Sequence, residues 1–296
     1  MKRVRGLRAA RLLGRAVAAL LAAGFAYVAY IYLTLPDVRP LRTANPSTTA
    51  FMQLREREAE AEGIPFKKDQ RWVPYSRISQ NLKRAVIVTE DSAFWQHGGI
   101  DYDQLRESME VNWERGEFAR GASTITQQLA KNLYLSPSKN PVRKLKELLI
   151  TRRLEAELTK QRILELYLNE IEWGDGVWGA EAAARRYFHK SAADLNASES
   201  ALLAAAIANP HIMNPGHPTA RLRRRQDMIM RRMGAVTPPP VVAEPAALPG
   251  LPAVLEGAPE MPGSTPTVPD AGAPVTLPGT PVANPSTPKK PGGPGQ

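Results

Sequence analysis

A mainly α-helical domain, joined to one N-terminal transmembrane helix and a disordered proline-rich C-terminal tail, is the fold class this 296-residue sequence predicts. Three observations carry the expectation. Between Asn81 and Met233, apolar residues recur at three- and four-residue spacing with few alternating β-branched runs, the pattern of helices that each bury one face. From Ala16 to Pro36 the chain carries no charge, long enough to supply the roughly 20 apolar residues that cross a bilayer. From Thr237 onward 17 of the 27 prolines gather beside Gly, Ala, Val and Thr. That composition buries too little surface to offset its ordering entropy.

Composition narrows the functional classes. A hydrophobic content of 43% supports a sizeable core, in one large domain or two small ones. Cysteine is absent, which excludes a disulfide framework and a thiolate metal site and permits an oxidising compartment. The formal charge of +10 calls for an anionic partner, whether nucleic acid, an anionic lipid surface or a phosphorylated substrate.

Taken in order, residues 1–15 form a basic segment with Lys2, Arg3, Arg5, Arg8, Arg11 and Arg15 and no acid. Such a flank stays cytoplasmic, so the chain beyond Asp37 is expected outside the cytoplasm. Residues 16–36 are the spanning helix, with Tyr27, Tyr30 and Tyr32 toward its exit, where aromatic rings favour the interface. A cleaved signal peptide is the competing reading, although its apolar region usually runs only about 7–15 residues. Residues 37–80 are a membrane-proximal segment holding a short amphipathic helix, Leu54 to Glu62, and the stretch RWVPYSRIS.

The main domain is placed at 81–234. Val142 to Leu158 reads as one long helix, and Thr159 caps a second that runs through Asn169. GDGVWG interrupts the helical pattern, and Gly174, Gly176 and Gly179 permit a tight turn or a close backbone approach. Ala180 to Phe188 resumes as helix, Ser198 caps another that ends before Pro210, and a basic amphipathic helix follows Thr219. That last helix holds Arg221, Arg223, Arg224, Arg225, Arg231 and Arg232; it suits either anionic headgroups or a solvated end-helix. Residues 235–296 are the tail.

Four stretches carry chemistry. In EDSAFWQHGGID, Glu90 follows the apolar run Ala85-Val86-Ile87-Val88, where scarce water raises its basicity toward that of a general base. A solvated turn or a helix cap explains the same two acids, Glu90 and Asp91. GASTITQQLAKNL offers hydrogen-bonding groups for a sugar or phosphate and a cation, Lys131. It reads equally as an ordinary helix capped by Ser123, or as a DNA-recognition helix that a membrane anchor would keep away from DNA. In KNPVRKLKELLITRRLEAEL, Arg143 and Glu147 lie four residues apart on one helix face. They form either a surface pair worth about 0.3–0.5 kcal/mol or, with Lys131 and Lys139, a set converging on a diphosphate with Glu147 as second acid. In KQRILELYLNEIEWGDGVWGAEAAARRYF the apolar positions read as core, and Tyr167, Asn169, Trp173 and Trp178 draw no individual role. His97, His189, His211 and His217 lack the spacing of a zinc site, so no metal is expected from ligand pattern.

In that order EDSAFWQHGGID, GASTITQQLAKNL, RKLKE and ILELYLNEIEWGDGVWGAEAAARRYF resemble the successive motifs of the peptidoglycan glycosyltransferases. WVPYSRISQNLKRAVIVTED adds a likeness to the monofunctional biosynthetic transglycosylases of the bacterial inner membrane, and the resemblance covers about Thr48 to Met233 but not the tail. It implies a lysozyme-like glycosyltransferase domain with a hydrophobic face dipping into the membrane. The implied activity is polymerisation of lipid II into β-1,4-linked glycan strands with release of undecaprenyl diphosphate. Glu90 matches the catalytic base and Glu147 the second catalytic carboxylate. Lys131, Lys139 and Arg143 match cations that hold the diphosphate, although an arginine is common where Lys139 stands. Ser123, Thr124, Gln127 and Gln128 match the hydrogen-bonding wall of the cleft, and His97 joins the substrate-binding set.

No cofactor is required by this resemblance, and a divalent cation, Mg or Mn, is compatible with it. Expected partners are lipid II, the nascent strand and the membrane, with cell-wall synthase or divisome proteins reached through the tail and no nucleic acid. The implied location is the bacterial inner membrane, single-pass, with the catalytic domain periplasmic. No Ser-x-x-Lys, Ser-x-Asn and Lys-Thr-Gly set follows, so no transpeptidase activity is expected. A glycan-cleaving muramidase would instead need an acid that protonates a glycosidic oxygen. A silent scaffold would lack one or both glutamates.

Overall fold

The computed structural model describes residues 2–115, 123–138 and 140–234, with side chains from Leu12 onward except those of 112–115. Lys139 and the expected tail, 235–296, lie outside the described residues, as do Gly121 and Ala122.

Helix α1, Lys2–Leu33, contains a 22-residue apolar stretch, Leu12–Leu33, long and apolar enough to cross a membrane. It stops short of the expected limit at Pro36; the Thr34 hydroxyl donates to the Tyr30 carbonyl at 2.8 Å and closes the last turn. Helix α2, Ala50–Glu62, starts four residues before Leu54, because Thr49 accepts from the Met52 amide at 3.1 Å and so fixes the first turn. After the short strand β1, Asp69–Gln70, come α3 (Gln80–Glu90), α4 (Tyr102–Arg115) and α5 (Ile125–Tyr134). Then follow α6 (Pro141–Glu157), α7 (Lys160–Glu170), strands β2 (Glu172–Gly174) and β3 (Val177–Trp178), and helices α8 (Ala180–Phe188), α9 (Ala197–Ala206) and α10 (Ala220–Met233).

Side-chain caps set these boundaries. Thr159 caps α7 as the sequence predicts, Thr219 caps the basic helix α10 that follows it, and α8 has the expected limits. Two caps differ. Asn196, rather than Ser198, caps α9, since Glu199 three residues on accepts from the Asn196 amide and completes a capping box. Thr124, rather than Ser123, caps α5 for the same reason, with Gln127 as the reciprocal partner.

The helices α3, α5, α7 and α9 hold the core: Leu82, Val86, Ile125, Leu129, Leu164, Leu168 and Leu203 are all buried within it. Helix α10 lies over α9 and α3, presenting Leu222, Ile229 and Met233 inward, and α5 is enclosed by α2, α6 and α7. The membrane-proximal segment belongs to the same body. Val38, Leu41, Tyr75 and Ile78 join the core, and β1 pairs in parallel with β3, Asp69 opposite Val177 and Gln70 opposite Trp178. Strand β3 pairs antiparallel with β2 through the GDG turn, where Gly176 has φ +68°. Gly179 follows at φ +81°, and a Cβ there would sit 2.6 Å from the Asn169 carbonyl oxygen, so only glycine fits.

Two contacts fix the segments around this body. The Asn169 amide accepts from the Val73 N–H at 3.0 Å and donates to the Val73 carbonyl at 2.9 Å, which mimics a strand partner inside the core. Arg153 of α6 donates to the carbonyls of Tyr32, Leu35 and Pro36 at 2.8, 3.3 and 3.4 Å and lies over the Tyr32 ring, tying the exit of α1 to α6.

Candidate active site

Glu90 is the last residue of α3, half-buried, and Asp91 is its C-cap. The two acids face different tasks. Asp91 is buried; its Oδ2 accepts from the Ile125 amide at 3.0 Å, which seats the first turn of α5 against the end of α3. Its Oδ1 lies 2.8 Å from His97 Nε2. Because His97 Nδ1 accepts from the Gly99 amide at 3.1 Å, the ring proton sits on Nε2 and is donated to Asp91. Gly99 itself has φ +86°, and a Cβ would meet Thr151 and Glu155 at 2.7 Å. The glycine therefore lets this loop press against α6. One oxygen of Asp91 thus meets the capping reading of the acid pair, while Glu90 caps nothing among the described residues.

Asp91, His97 and Asp101 each bring one ligand atom within 4.8 Å of the others, the one such group among the described residues. Each already makes hydrogen bonds of its own: Asp91 with His97 and Ile125, His97 with Asp91 and Gly99, Asp101 with the Gln104 amide at 2.8 Å. Asp91, held by His97, braces the start of α5, and Asp101 caps the start of α4.

Among the described residues Glu90 receives one hydrogen bond, from Gln128 Nε2 at 2.9 Å. Gln128 is oriented in turn by the hydroxyl of Tyr167, which donates to its Oε1 at 2.8 Å from the buried centre of α7. Burial pushes the Glu90 carboxyl above the usual carboxylate range, opposed by the Gln128 hydrogen bond and by the charges of Arg225 and Lys131, and reinforced by Asp91. The same carboxyl is thus both protected from water and held near cations.

Lys131 stands one turn beyond Gln128 on α5. Burial lowers its ammonium below the usual lysine value; Glu147 and Glu90 push it back up, while Arg143 and Lys144 oppose it. All five charges therefore act on one locality. Phe51 of α2 covers the ammonium, its ring centroid 5.6 Å away. On α6, Glu147 is buried and its Oε2 takes a hydrogen bond from Arg143 at 2.6 Å, while Lys144 reaches the other oxygen. The buried acid is thus compensated from two sides, unlike the exposed pair considered from sequence.

Of the sequence-predicted set, Glu90, Gln128, Lys131, Arg143 and Glu147 are brought together. Ser123 is exposed beside them, its carbonyl 3.4 Å from Gln128 Nε2. Thr124 and Gln127 are buried and spent on each other and on Gly99. They build the wall without facing out of it. His97 meets Asp91 rather than Glu90, and Lys139 lies outside the described residues. Sequence reasoning missed Tyr167, which orients Gln128, and Arg225, whose charge acts on Glu90 and whose Nε is buried with no hydrogen-bond partner among the described residues. A signal for Arg225 existed. It falls three residues after Leu222 and four before Ile229, at the edge of the buried face of α10.

The helical domain thus carries a buried and a half-buried acid with a cluster of cations near both, an arrangement suited to an enzyme that transfers a group. A family model described as Transglycosylase matches residues 57–234, and the chain belongs to the transglycosylase family. It is a glycosyl-transferring enzyme. Among its relatives are proteins named biosynthetic peptidoglycan transglycosylase. That of Herminiimonas arsenicoxydans is 48% identical over 195 residues, 66% of this chain and 84% of its own. Those of Neisseria gonorrhoeae and Chromobacterium violaceum are 46% and 43% identical, over 71% and 77% of this chain and 89% and 99% of theirs.

Proposed function

We propose that this protein polymerises lipid II into β-1,4-linked glycan strands of peptidoglycan, releasing undecaprenyl diphosphate, from a single-pass anchor in the bacterial inner membrane. Glu90 takes the proton from the 4-hydroxyl of the acceptor sugar as that oxygen attacks the anomeric carbon of the growing strand. The bond from that carbon to the diphosphate breaks, and attack from the opposite face inverts the linkage from α to β. General base help of this kind contributes about 10²–10⁴-fold in rate. Lys131 and Arg143, with Lys139, hold the departing diphosphate, and preorganised cations in a dry cleft stabilise its charge better than water does. Glu147 assists as the second carboxylate. Ser123 and Gln128 line the cleft, while Thr124, Gln127 and His97 set its shape through the start of α5.

The observation that supports this reading is the position of Lys131, whose ammonium feels Glu90 and Glu147 together. A muramidase has no use for that arrangement, since its leaving group is neutral. On α4, exposed Tyr102, Leu105 and Met109 share one face and suit contact with the membrane in which the lipid carrier stays. The domain reading is 1–15 cytoplasmic, 16–36 spanning, and the catalytic body outside the cytoplasm, with the tail available to synthase or divisome proteins. The test is Glu90→Gln assayed with labelled lipid II on a gel that separates glycan polymers. Polymer should vanish while the unfolding transition is retained, and undiminished polymer would remove Glu90 as base.

A further inference from the structure

Beyond Glu147 on α6, where α1 ends and the chain turns at Asp37, a cavity of about 590 Å³ is walled by Tyr32, Leu35, Arg39, Leu149, Arg152 and Arg153. Its charged groups are not equally engaged. Asp37, also on the wall, is paired with Arg39 at 2.9 Å, and Glu157 is paired with Arg42. Arg153 gives its hydrogen bonds to three carbonyls and stacks on Tyr32; its charge reaches Asp37, but it forms no ion pair among the described residues. Arg152 is exposed at the rim and has no hydrogen bond or ion pair among the described residues.

The height of the cavity follows from α1. Tyr32 is in the last turn of the apolar stretch Leu12–Leu33. When that stretch crosses a bilayer, the phosphate layer of one leaflet falls at the level of Arg152 and Arg153. The walls are apolar at Leu35 and Leu149 and cationic at the rim, matching a ligand with a glycerol-and-acyl end and a phosphate end. Guanidinium groups present paired N–H donors that suit phosphate oxygens.

We infer that this cavity binds the phosphodiester headgroup of an anionic membrane phospholipid, with Arg152 on the phosphate and Arg153 behind it. It is a second lipid site, apart from the cleft of Glu90 and Glu147. Because α6 carries both Arg152 and Glu147, a headgroup held here sets the level of the cleft above the bilayer. The inference rests on the reading of α1 as a membrane anchor.

The experiment uses the full chain. Flotation with phosphatidylcholine vesicles comes first; a protein that does not float overturns the anchor and this site with it. Native mass spectrometry of the detergent-extracted protein then compares retention of phosphatidylglycerol and phosphatidylcholine. Phosphatidylglycerol should be held preferentially, about fivefold more weakly by Arg152→Gln and about thirtyfold more weakly by Arg152→Glu, at roughly 1 kcal/mol per cation near the surface. Leu149→Trp, which fills the cavity without changing charge, should also release the lipid. Polymerisation in detergent should stay at wild-type level in Arg152→Gln. Equal retention of both lipids, or retention unaffected by all three substitutions, would overturn the site. Displacement of the lipid by excess inorganic phosphate would assign the cavity to free phosphate and overturn its specificity for lipid.

Discussion

Tyr167→Phe removes a single oxygen, and its effect on the proposed base can be worked through from two distances. The Tyr167 hydroxyl donates to Gln128 Oε1 at 2.8 Å, and the amide so oriented donates to Glu90 Oε2 at 2.9 Å. Without the hydroxyl, only the long 3.4 Å contact of Gln128 Nε2 with the Ser123 carbonyl still favours the end of the amide that faces Glu90. A hydrogen bond to a charged group contributes about 1.5–3 kcal/mol. Its loss falls on the ionised form of Glu90, so the carboxyl, already raised by burial, rises further. The acid limb of the polymerisation rate should therefore move upward. On that limb the variant should be about ten- to a hundredfold slower, the 1.5–3 kcal/mol read as a rate, and it should recover as the pH is raised. The assay is a pH–rate profile with labelled lipid II. Alkaline recovery separates this effect from unfolding, which the unpaired Gln128 carbonyl favours by about 1–3 kcal/mol. An acid limb that stays in place, or moves downward, would refute the Tyr167–Gln128–Glu90 chain.

Further outcomes follow from other side chains. Lys131→Ala should weaken lipid II binding by about ten- to a hundredfold, the equivalent of one charged hydrogen bond, and unchanged affinity would remove Lys131 from the diphosphate site. Burial pushes the Glu170 carboxyl from 4.5 to about 8, so between those values the folded protein keeps a proton that the unfolded chain sheds. Stability should then fall as pH rises through that window, by about 1.4 kcal/mol per unit, and Glu170→Gln should flatten the slope; parallel curves of Tm against pH would count against it. Asn169→Ala leaves the buried Val73 N–H and carbonyl unpaired and should cost about 1–3 kcal/mol for each in chemical denaturation; a loss below about 1 kcal/mol in all would contradict the stapling role.

Much of the helical scaffold was legible because its signals are local. Thr159 and Thr219 announce α7 and α10 within one turn, and the apolar spacing of α8 runs without interruption between Gly179 and His189. Where two cap residues compete, the reciprocal partner decides. Glu199 selects Asn196 over Ser198, and Gln127 selects Thr124 over Ser123, a distinction that attention to the third residue onward would have caught. The short strands β1 and β3 escaped notice since two residues carry no period. The acids and cations of the cleft were legible as motifs, but their division of labour was not. Asp91 and Glu90 are neighbours in sequence, and only the partners of each, Ile125 at one and Gln128 at the other, tell brace from base. Tyr167 and Asn169 read as core because their partners lie 39 and 96 residues away.

Glu147 holds Arg143 and Lys144 at the same time. A diphosphate that recruits those groups must trade places with a resident counter-ion instead of docking onto bare charge, which keeps the net gain on arrival modest. Under the proposed function, the displaced carboxylate would then take its cations back once the spent carrier leaves. A polymerase that sheds a by-product with every disaccharide unit it adds would be served by that exchange, since grip on the leaving group and speed of turnover would be set by one side chain.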